Sequence, residues 1–301
     1  MSFIVHDPGL YSLIVDAGRP RTRSLGVSLG GAADRAAFQL GNAILGNESH
    51  APALELTLTG PTLEATDDVG AVIFGAPFAI HRNGEKIIAG HPFQLRRGDR
   101  LRIGGTSEGA RGYLCVTGGF RSPLILQSRS ALEPIQRDAI LQCEPGIAPT
   151  RYLPFVMSNE MIPRRVISIL PGPQAEWFAD GVLNNQKFQV TPASNRMGVR
   201  LQSEPLQREP RELISEPVAP GTIQVTNDGQ CIILGVDGQT IGGYPKIAQV
   251  IRADLDAIAQ LRPRDEIVFE YVSMAEAEAL GERYSRTLRE WLFRLSVAEW
   301  R

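Results

Sequence analysis

The chain has 301 residues, 43% of them hydrophobic and 21% charged, with a formal net charge of -2 and a pI near 6.1. Single hydrophobic cores stop growing at roughly 250 to 300 residues, so this length calls for two domains, and the balanced charge gives no electrostatic case for nucleic acid. The first residues, MSFIVHDPGL, lack the charged start and apolar run of a secretory signal, and the longest nearly apolar stretch, AVIFGAPFAI at 71–80, is too short to cross a bilayer; no membrane association and a cytoplasmic protein are expected.

Taken in chain order, the first half carries SLIVDA, ALELTLTGPTLEA, AVIFGA, GEKIIAG, DRLRIGG and GYLCVTGG, short strand-like runs broken by Gly, Pro, Asn and Asp. A helix is expected at 33–45, where Ala37, Leu40 and Ile44 share a face, Asp34 stands at the start and Gly46-Asn47 marks the stop. After the proline-rich, aperiodic 143–165 the strand rhythm returns as RRVISILPG, KFQVTPA, GTIQVTNDG, QCIILGVDG, KIAQVI and DEIVFEYV. Asn227-Asp228-Gly229 reads as a tight turn. Helices follow at 253–261 and at the C-terminus, where Ser273 and Glu276 have capping-box spacing and Leu280, Tyr284, Leu288, Trp291 and Leu295 recur at three and four residues. The reading is a mainly β chain of barrels or sandwiches, with one domain at 1–160 and a second at 161–301 that includes the C-terminal helix. FQLRRGDRLRI at 93–103 echoes IAQLRPRDEIVF at 258–269, an internal similarity that hints at duplication.

Three cysteines without a CxxC pair, and four histidines without HxH or HExxH spacing, support neither a disulfide framework nor a metal site; the cysteines are expected to be buried. GxxxxGK[ST] is absent, which removes a common nucleotide-binding loop. What remains are glycine-dense segments. In SLGGAADRAAF (28–38), two glycines precede a helix start, which can seat an anion with Arg35 adding a contact, or can be a tight turn capped by Asp34. In LPGPQAEWF (170–178), a Gly between prolines leads to Gln174, as a stiff turn or as a pocket wall. In NRMGVRL (195–201), Arg196 and Arg200 can clamp a carboxylate or pair with nearby acids.

The densest signal is DGQTIGGYPKIAQV at 237–250. Only three of 31 basic residues are lysines, and one of these, Lys246, sits here as a compact cation able to lose its proton when buried. Gly242 and Gly243 permit close backbone approach, Tyr244 offers a flat wall with a polar tip, and Asp237, Gln239 and Thr240 supply polar groups to orient a small amide or acid. The alternative is a bent hairpin with a surface lysine.

In this order, SLGGAADRAAFQLGNAILGN, YLCVTGGF, LQSRS, LPGPQAEWF, SNRMGVRL and DGQTIGGYPKIAQVIRADLDAIAQLRP resemble the 5-oxoprolinase C-subunit family, also known as KipA-like or biotin-dependent carboxyltransferase-domain proteins, from about residue 5 to about 276. The resemblance implies two cyclophilin-like β-barrel domains and association with a KipI-like second subunit. With a LamB/YcsF-like third subunit, it implies an ATP-dependent opening of the 5-oxoproline lactam to glutamate, ATP being bound with the partner subunits. Related domains of urea carboxylase take a carboxyl group from a biotin carrier to urea, which this chain would require from a separate protein. A non-catalytic, partner-binding regulatory role is the third possibility. Lys246 and Asp237 are then the candidate catalytic residues, and Gln239, Thr240, Gly242, Gly243, Tyr244, Arg196, Gln174 and Asp34 the candidate substrate contacts. The sequence departs from the family pattern at Gly30 and Ala33 in GGAAD, at Asn195 in SNRMG, at LEPIQRDAIL, and at Arg264 where the family has glycine.

Overall fold

A computed structural model describes residues 2–151, 153, 165–208 and 211–297. Its contacts separate two compact units, Met1–Arg19 with Asp34–Ile162 and Leu288–Arg301, and Pro20–Ala33 with Pro163–Thr287. The boundary expected at 160/161 lies outside the described residues.

The first unit holds strands β1 (Ser2–Asp7), β2 (Tyr11–Val15), β3 (Ala53–Thr57), β4 (Thr62–Ala65), β5 (Val69–Gly75), β6 (Phe78–Arg82), β7 (Glu85–Ile87), β8 (Phe93–Leu95), β9 (Arg100–Thr106), β10 (Arg111–Val116) and β11 (Ile140–Gln142). They form a six-stranded sheet, β11-β1-β4-β9-β6-β7, and a five-stranded sheet, β2-β3-β10-β5-β8. Alternation places Phe3, Val5, Leu63, Ile80, Leu101 and Ile103 of the first sheet in one core with Leu54, Leu56, Ile73 and Leu114 of the second. Helix α1 (Arg35–Leu45) packs on β5 and β10, burying Ala37, Leu40 and Ile44. Asp34 accepts from the Ala37 N–H at 2.9 Å as its N-cap, and Gly46 ends it in the left-handed conformation. Behind the sheets, the buried Asp16 carboxylate accepts from the Ser128 and Ser130 hydroxyls at 2.6 and 2.7 Å and from the Gly18 N–H at 2.8 Å, tying a loop to the end of β2.

The second unit holds β12 (Val166–Pro171), β13 (Phe188–Val190), β14 (Gly198–Gln202), β15 (Glu216–Pro217), β16 (Thr222–Val225), β17 (Cys231–Leu234), β18 (Ile241–Gly242), β19 (Lys246–Val250) and β20 (Glu266–Tyr271). Seven of these close a barrel in the order β12-β19-β16-β17-β14-β13-β20, sealed by parallel pairing of β20 with β12. Closure removes sheet edges, and the inward residues Ile167, Phe188, Leu201, Ile223, Ile247 and Phe269 fill the interior. The mainly β reading holds, with the closed barrel in this unit and the paired sheets in the first. The Asn-Asp-Gly turn joins β16 to β17 as expected. Helix α2 (Leu255–Ala259) occupies the middle of 253–261, and α3 (Met274–Val297) begins at the capping box, with the Ser273 N–H donating to Glu276 at 2.8 Å and the Glu276 N–H returning to Ser273 Oγ at 3.2 Å.

The internal echo in the sequence is an equivalence of turns. In the first unit the Asp99 side chain accepts from the Arg96 N–H at 2.9 Å, and Gly98 has φ 86°. In the second, Asp265 accepts from the Arg262 N–H at 2.9 Å, and Arg264 has φ 76°. The same aspartate-closed turn enters β9 and β20, with an L-residue in the left-handed position of the second copy.

All three cysteines are free and buried, as expected. Burial pushes the Cys143 thiol up to about 11 and Cys231 to about 12, so these are apolar packing groups and not nucleophiles.

Candidate functional site

The polar cluster of the second unit grows from β19. Its first residue, Lys246, has a backbone bracketed by Gln174, whose N–H donates to Lys246 O at 3.1 Å and whose Oε1 accepts from Lys246 N–H at 3.0 Å. This docking requires Gly172, where a Cβ would lie 2.2 Å from Lys246 O. The glycine between prolines is thus explained by backbone proximity, and Gln174 arrives as part of a packed corner.

The Lys246 side chain turns away from the barrel interior yet is only 3% exposed, and Nζ lies 2.6 Å from Glu216 Oε2. Glu216 sits in the two-residue strand β15, paired with Gly242 of β18. Gln174 Nε2 donates to the same carboxylate at 3.2 Å. The Lys246 ammonium holds the Glu216 carboxyl below its usual range, and the Gln174 amide adds to that effect against a smaller cost of burial. The Glu216 side chain is 43% exposed, so the carboxylate is the member of the pair that solvent and small molecules reach. Gln224 is the cross-strand neighbour of Lys246, beside a register shift in β16. A Cβ at Gly242 would stand 2.3 Å from Gln224 Nε2 and 2.8 Å from Gln239 Nε2, so the first glycine of the Gly-Gly pair makes room for two amides.

A second cluster joins Arg196 and Asp237. Arg196 Nε and Nη2 donate to the two Asp237 oxygens at 2.6 and 3.0 Å, and Nη2 also donates to Gly31 O at 2.7 Å. The bidentate fork and the third acceptor fix three segments, 30–31, 195–198 and 235–238, around one buried guanidinium. Asn195 fits here as a turn residue, its Oδ1 accepting from the Met197 N–H at 2.8 Å.

Several expectations are corrected by these contacts. The carboxylate beside Lys246 is Glu216, and Asp237 is engaged by Arg196. Arg196 and Arg200 do not act as one clamp: Arg196, in the turn before β14, is buried in its ion pair, and Arg200, on β14, is exposed beside a surface groove. Asp34 belongs to the first unit, is 3% exposed and caps α1, so the capped turn is the alternative seen there, with its own carboxylate at the helix start. Tyr244, 37% exposed, lines a groove of about 630 Å³ with Arg200, Thr226, Asp228 and Ile232, a groove whose walls do not include Lys246. Gln239 and Gly243 are exposed, while Thr240 contributes its carbonyl to the Val218 N–H at 3.0 Å. Sequence reasoning missed Glu216 and Gln224. The alternating polar positions of GTIQV are the signal that could have placed Gln224 on the outer barrel face, whereas Glu216 carried no signal beyond an acidic run. No group of three or more His, Cys, Asp or Glu residues able to hold a metal lies among the described residues, and none of their helices is long and apolar enough to cross a membrane.

The family model for the carboxyltransferase domain, subdomains A and B, matches residues 25–271. The chain belongs to this family. It is similar to the 5-oxoprolinase C-subunit of Haemophilus influenzae, at 37% identity over 90% of this chain and 91% of that protein. The Escherichia coli protein of the same name is 32% identical over 95% of this chain and 96% of its own length. Among solved structures, the urea amidolyase of K. lactis superposes with a TM-score of 0.86 and 27% identity, over 96% of this chain and 20% of that much longer one.

Proposed function

We propose that this chain is one subunit of a 5-oxoprolinase-like assembly that opens a cyclic amide, working with a KipI-like second subunit and a LamB/YcsF-like third. The observation that carries this reading is the buried Lys246 ammonium held against the open Glu216 carboxylate, within a chain 37% identical to a 5-oxoprolinase C-subunit over nine-tenths of its length. Lys246 serves as a positioning residue: it keeps Glu216 ionised, and Gln174 fixes the carboxylate's orientation. Glu216 then accepts the N–H of a lactam or amide, holding the ring for attack at its carbonyl carbon. Gln239 and Gly243, exposed on the same segment, border the approach.

ATP supplies the driving force in this reading. The cluster's ammonium is already paired with a carboxylate, an environment unfavourable to a triphosphate, so ATP is assigned to the assembled subunits and away from this cluster. The test is glutamate formation from 5-oxoproline and ATP by the three co-purified subunits. Dependence on all three supports the reading, and tight assembly without turnover of any lactam contradicts it.

The matched family model favours a second reading, a carboxyltransferase that moves a carboxyl group from a biotin carrier to a urea-like amide. Lys246, buried and ion-paired, does not fit as the biotin acceptor, so the carrier would be another protein. Discharge of a carboxybiotin carrier by the complex in the presence of urea separates this reading from the first.

A further inference from the structure

The donors beneath the β15/β18 ladder outnumber their acceptors. Gln224 is 1% exposed, and its Nε2 meets no acceptor among the described residues; its Oε1 accepts only a long contact of 3.5 Å from Gln239 Nε2. Lys246 carries three protons on a buried Nζ whose sole ionic neighbour among the described residues is Glu216. The two residues are partners on adjacent strands, and Gln224 Nε2 lies against Gly242, the residue paired with the Glu216 that holds Lys246 Nζ, so both donors lie beneath the ladder. Buried donors in native proteins are paired with protein, water or ligand almost without exception, and an unpartnered amide beside an ammonium with one carboxylate for its three N–H groups calls for a further oxygen.

What covers them is slight. Strands β15 and β18 pair through only two positions, Glu216 with Gly242 and Pro217 with Ile241. Ile241 is 57% exposed, and the ladder is fastened at its flanks by Arg23, whose Nη2 donates to Val218 O and, at 3.3 Å, to Gln239 O. Opening it breaks these few bonds and the Val218 N–H to Thr240 O bond, with a ligand's oxygen taking the place of Glu216 at Lys246.

We infer that the β15/β18 ladder is a strap over a seat for the carbonyl or carboxylate oxygen of a small ligand, and that Gln224 Nε2 and Lys246 Nζ donate to that oxygen. Glu216 lies on the strap itself, so the same opening that admits the oxygen brings the carboxylate to the ligand's N–H side. A five-membered lactam with a carboxyl group offers both faces. The inference rests on the proposed function for the identity of that ligand, whereas the seat is read by binding without turnover.

The experiment titrates the full chain, 15N-labelled, separately with acetate and with acetamide, and follows the side-chain NH2 signals of glutamine by NMR. Assignment uses the Gln224→Met variant, with its melting temperature as the control for folding. The expected result is a saturable shift of the Gln224 NH2 pair, with binding, read in both proteins from the neighbouring Gln174 and Gln239 NH2 signals, at least tenfold weaker in the folded Q224M variant. Response to both probes assigns a carbonyl-type oxygen, and response to acetate alone assigns a carboxylate. Absence of a saturable shift with either probe, or equal binding by Q224M, overturns the inference and leaves an ordinary buried water as the partner of these donors. Absence of 5-oxoprolinase turnover in the wild-type complex, with the shift present, would refute the proposed function and spare the seat.

Discussion

Lys246 and Glu216 form an ion pair of unequal exposure: the ammonium is enclosed, and the carboxylate 2.6 Å away is 43% open to solvent. Removing one partner therefore differs from removing the other. Lys246→Met keeps the volume of a long unbranched side chain and leaves a carboxylate that water can solvate, so its stability stays within about 1 kcal/mol of wild type. Glu216→Gln strands a buried charge and lowers the melting temperature by clearly more. Paired thermal melts at neutral pH check the order of the two.

The acid limb of stability is set in part by Asp16. Burial raises its pKa, but the Ser128 and Ser130 hydroxyls and the N–H groups of Arg129 and Gly18 outweigh that and hold it below 3.8. A depressed folded value means that the stabilisation is complete above the unfolded pKa of 3.8 and disappears as pH falls through the lower folded value. Asp16→Asn should cost about 2 kcal/mol near pH 7, with much of that difference gone when both proteins are compared near pH 2. Urea denaturation at the two pH values measures it.

Arg264 and Gly98 occupy matching positions of two aspartate-closed turns, with φ of 76° and 86°. No heavy atom lies within 4 Å of a Cβ at Gly98, so backbone conformation alone decides the outcome there. Arg264→Gly should stabilise by about 0.5 to 1 kcal/mol and Gly98→Arg should destabilise by about 1 kcal/mol. Equal signs for the two exchanges would deny that the turns are equivalent.

The Arg196–Asp237 fork acts as a structural clasp, with the guanidinium 5% and the carboxylate 27% exposed. Asp237→Asn and Arg196→Met should each cost about 2 kcal/mol, the carboxylate's partial exposure moderating the loss, and the double variant should cost less than their sum. A double-mutant cycle from chemical denaturation reads the coupling.

These contacts also explain how much was legible beforehand. The barrel strands announced themselves through alternation, as in Ile223 and Val225 facing in while Thr222 and Gln224 face out. Helix α1 was marked by Asp34 and Gly46 at its two ends. Strands β15 and β18 were not legible, because two residues carry no period. Glu216 was hidden for the same reason: its meeting with Lys246 depends on a ladder formed between 216–217 and 241–242, which no local pattern encodes. Asp237 stood out as a carboxylate in a glycine-rich turn, yet its partner, 41 residues away, is fixed by the turns at 195–198 and 235–238.

In the proposed function Lys246 acts on the lactam through Glu216. The most direct measurement is the pH profile of kcat for ATP-dependent glutamate formation from 5-oxoproline, comparing wild-type and Lys246→Met chains assembled with the same partners. The expected result is a loss of roughly 10²-fold in kcat with assembly intact, and an acid limb displaced to higher pH as Glu216 loses the cation that keeps it ionised. An unchanged kcat and an unmoved acid limb in a fully assembled variant complex would contradict it.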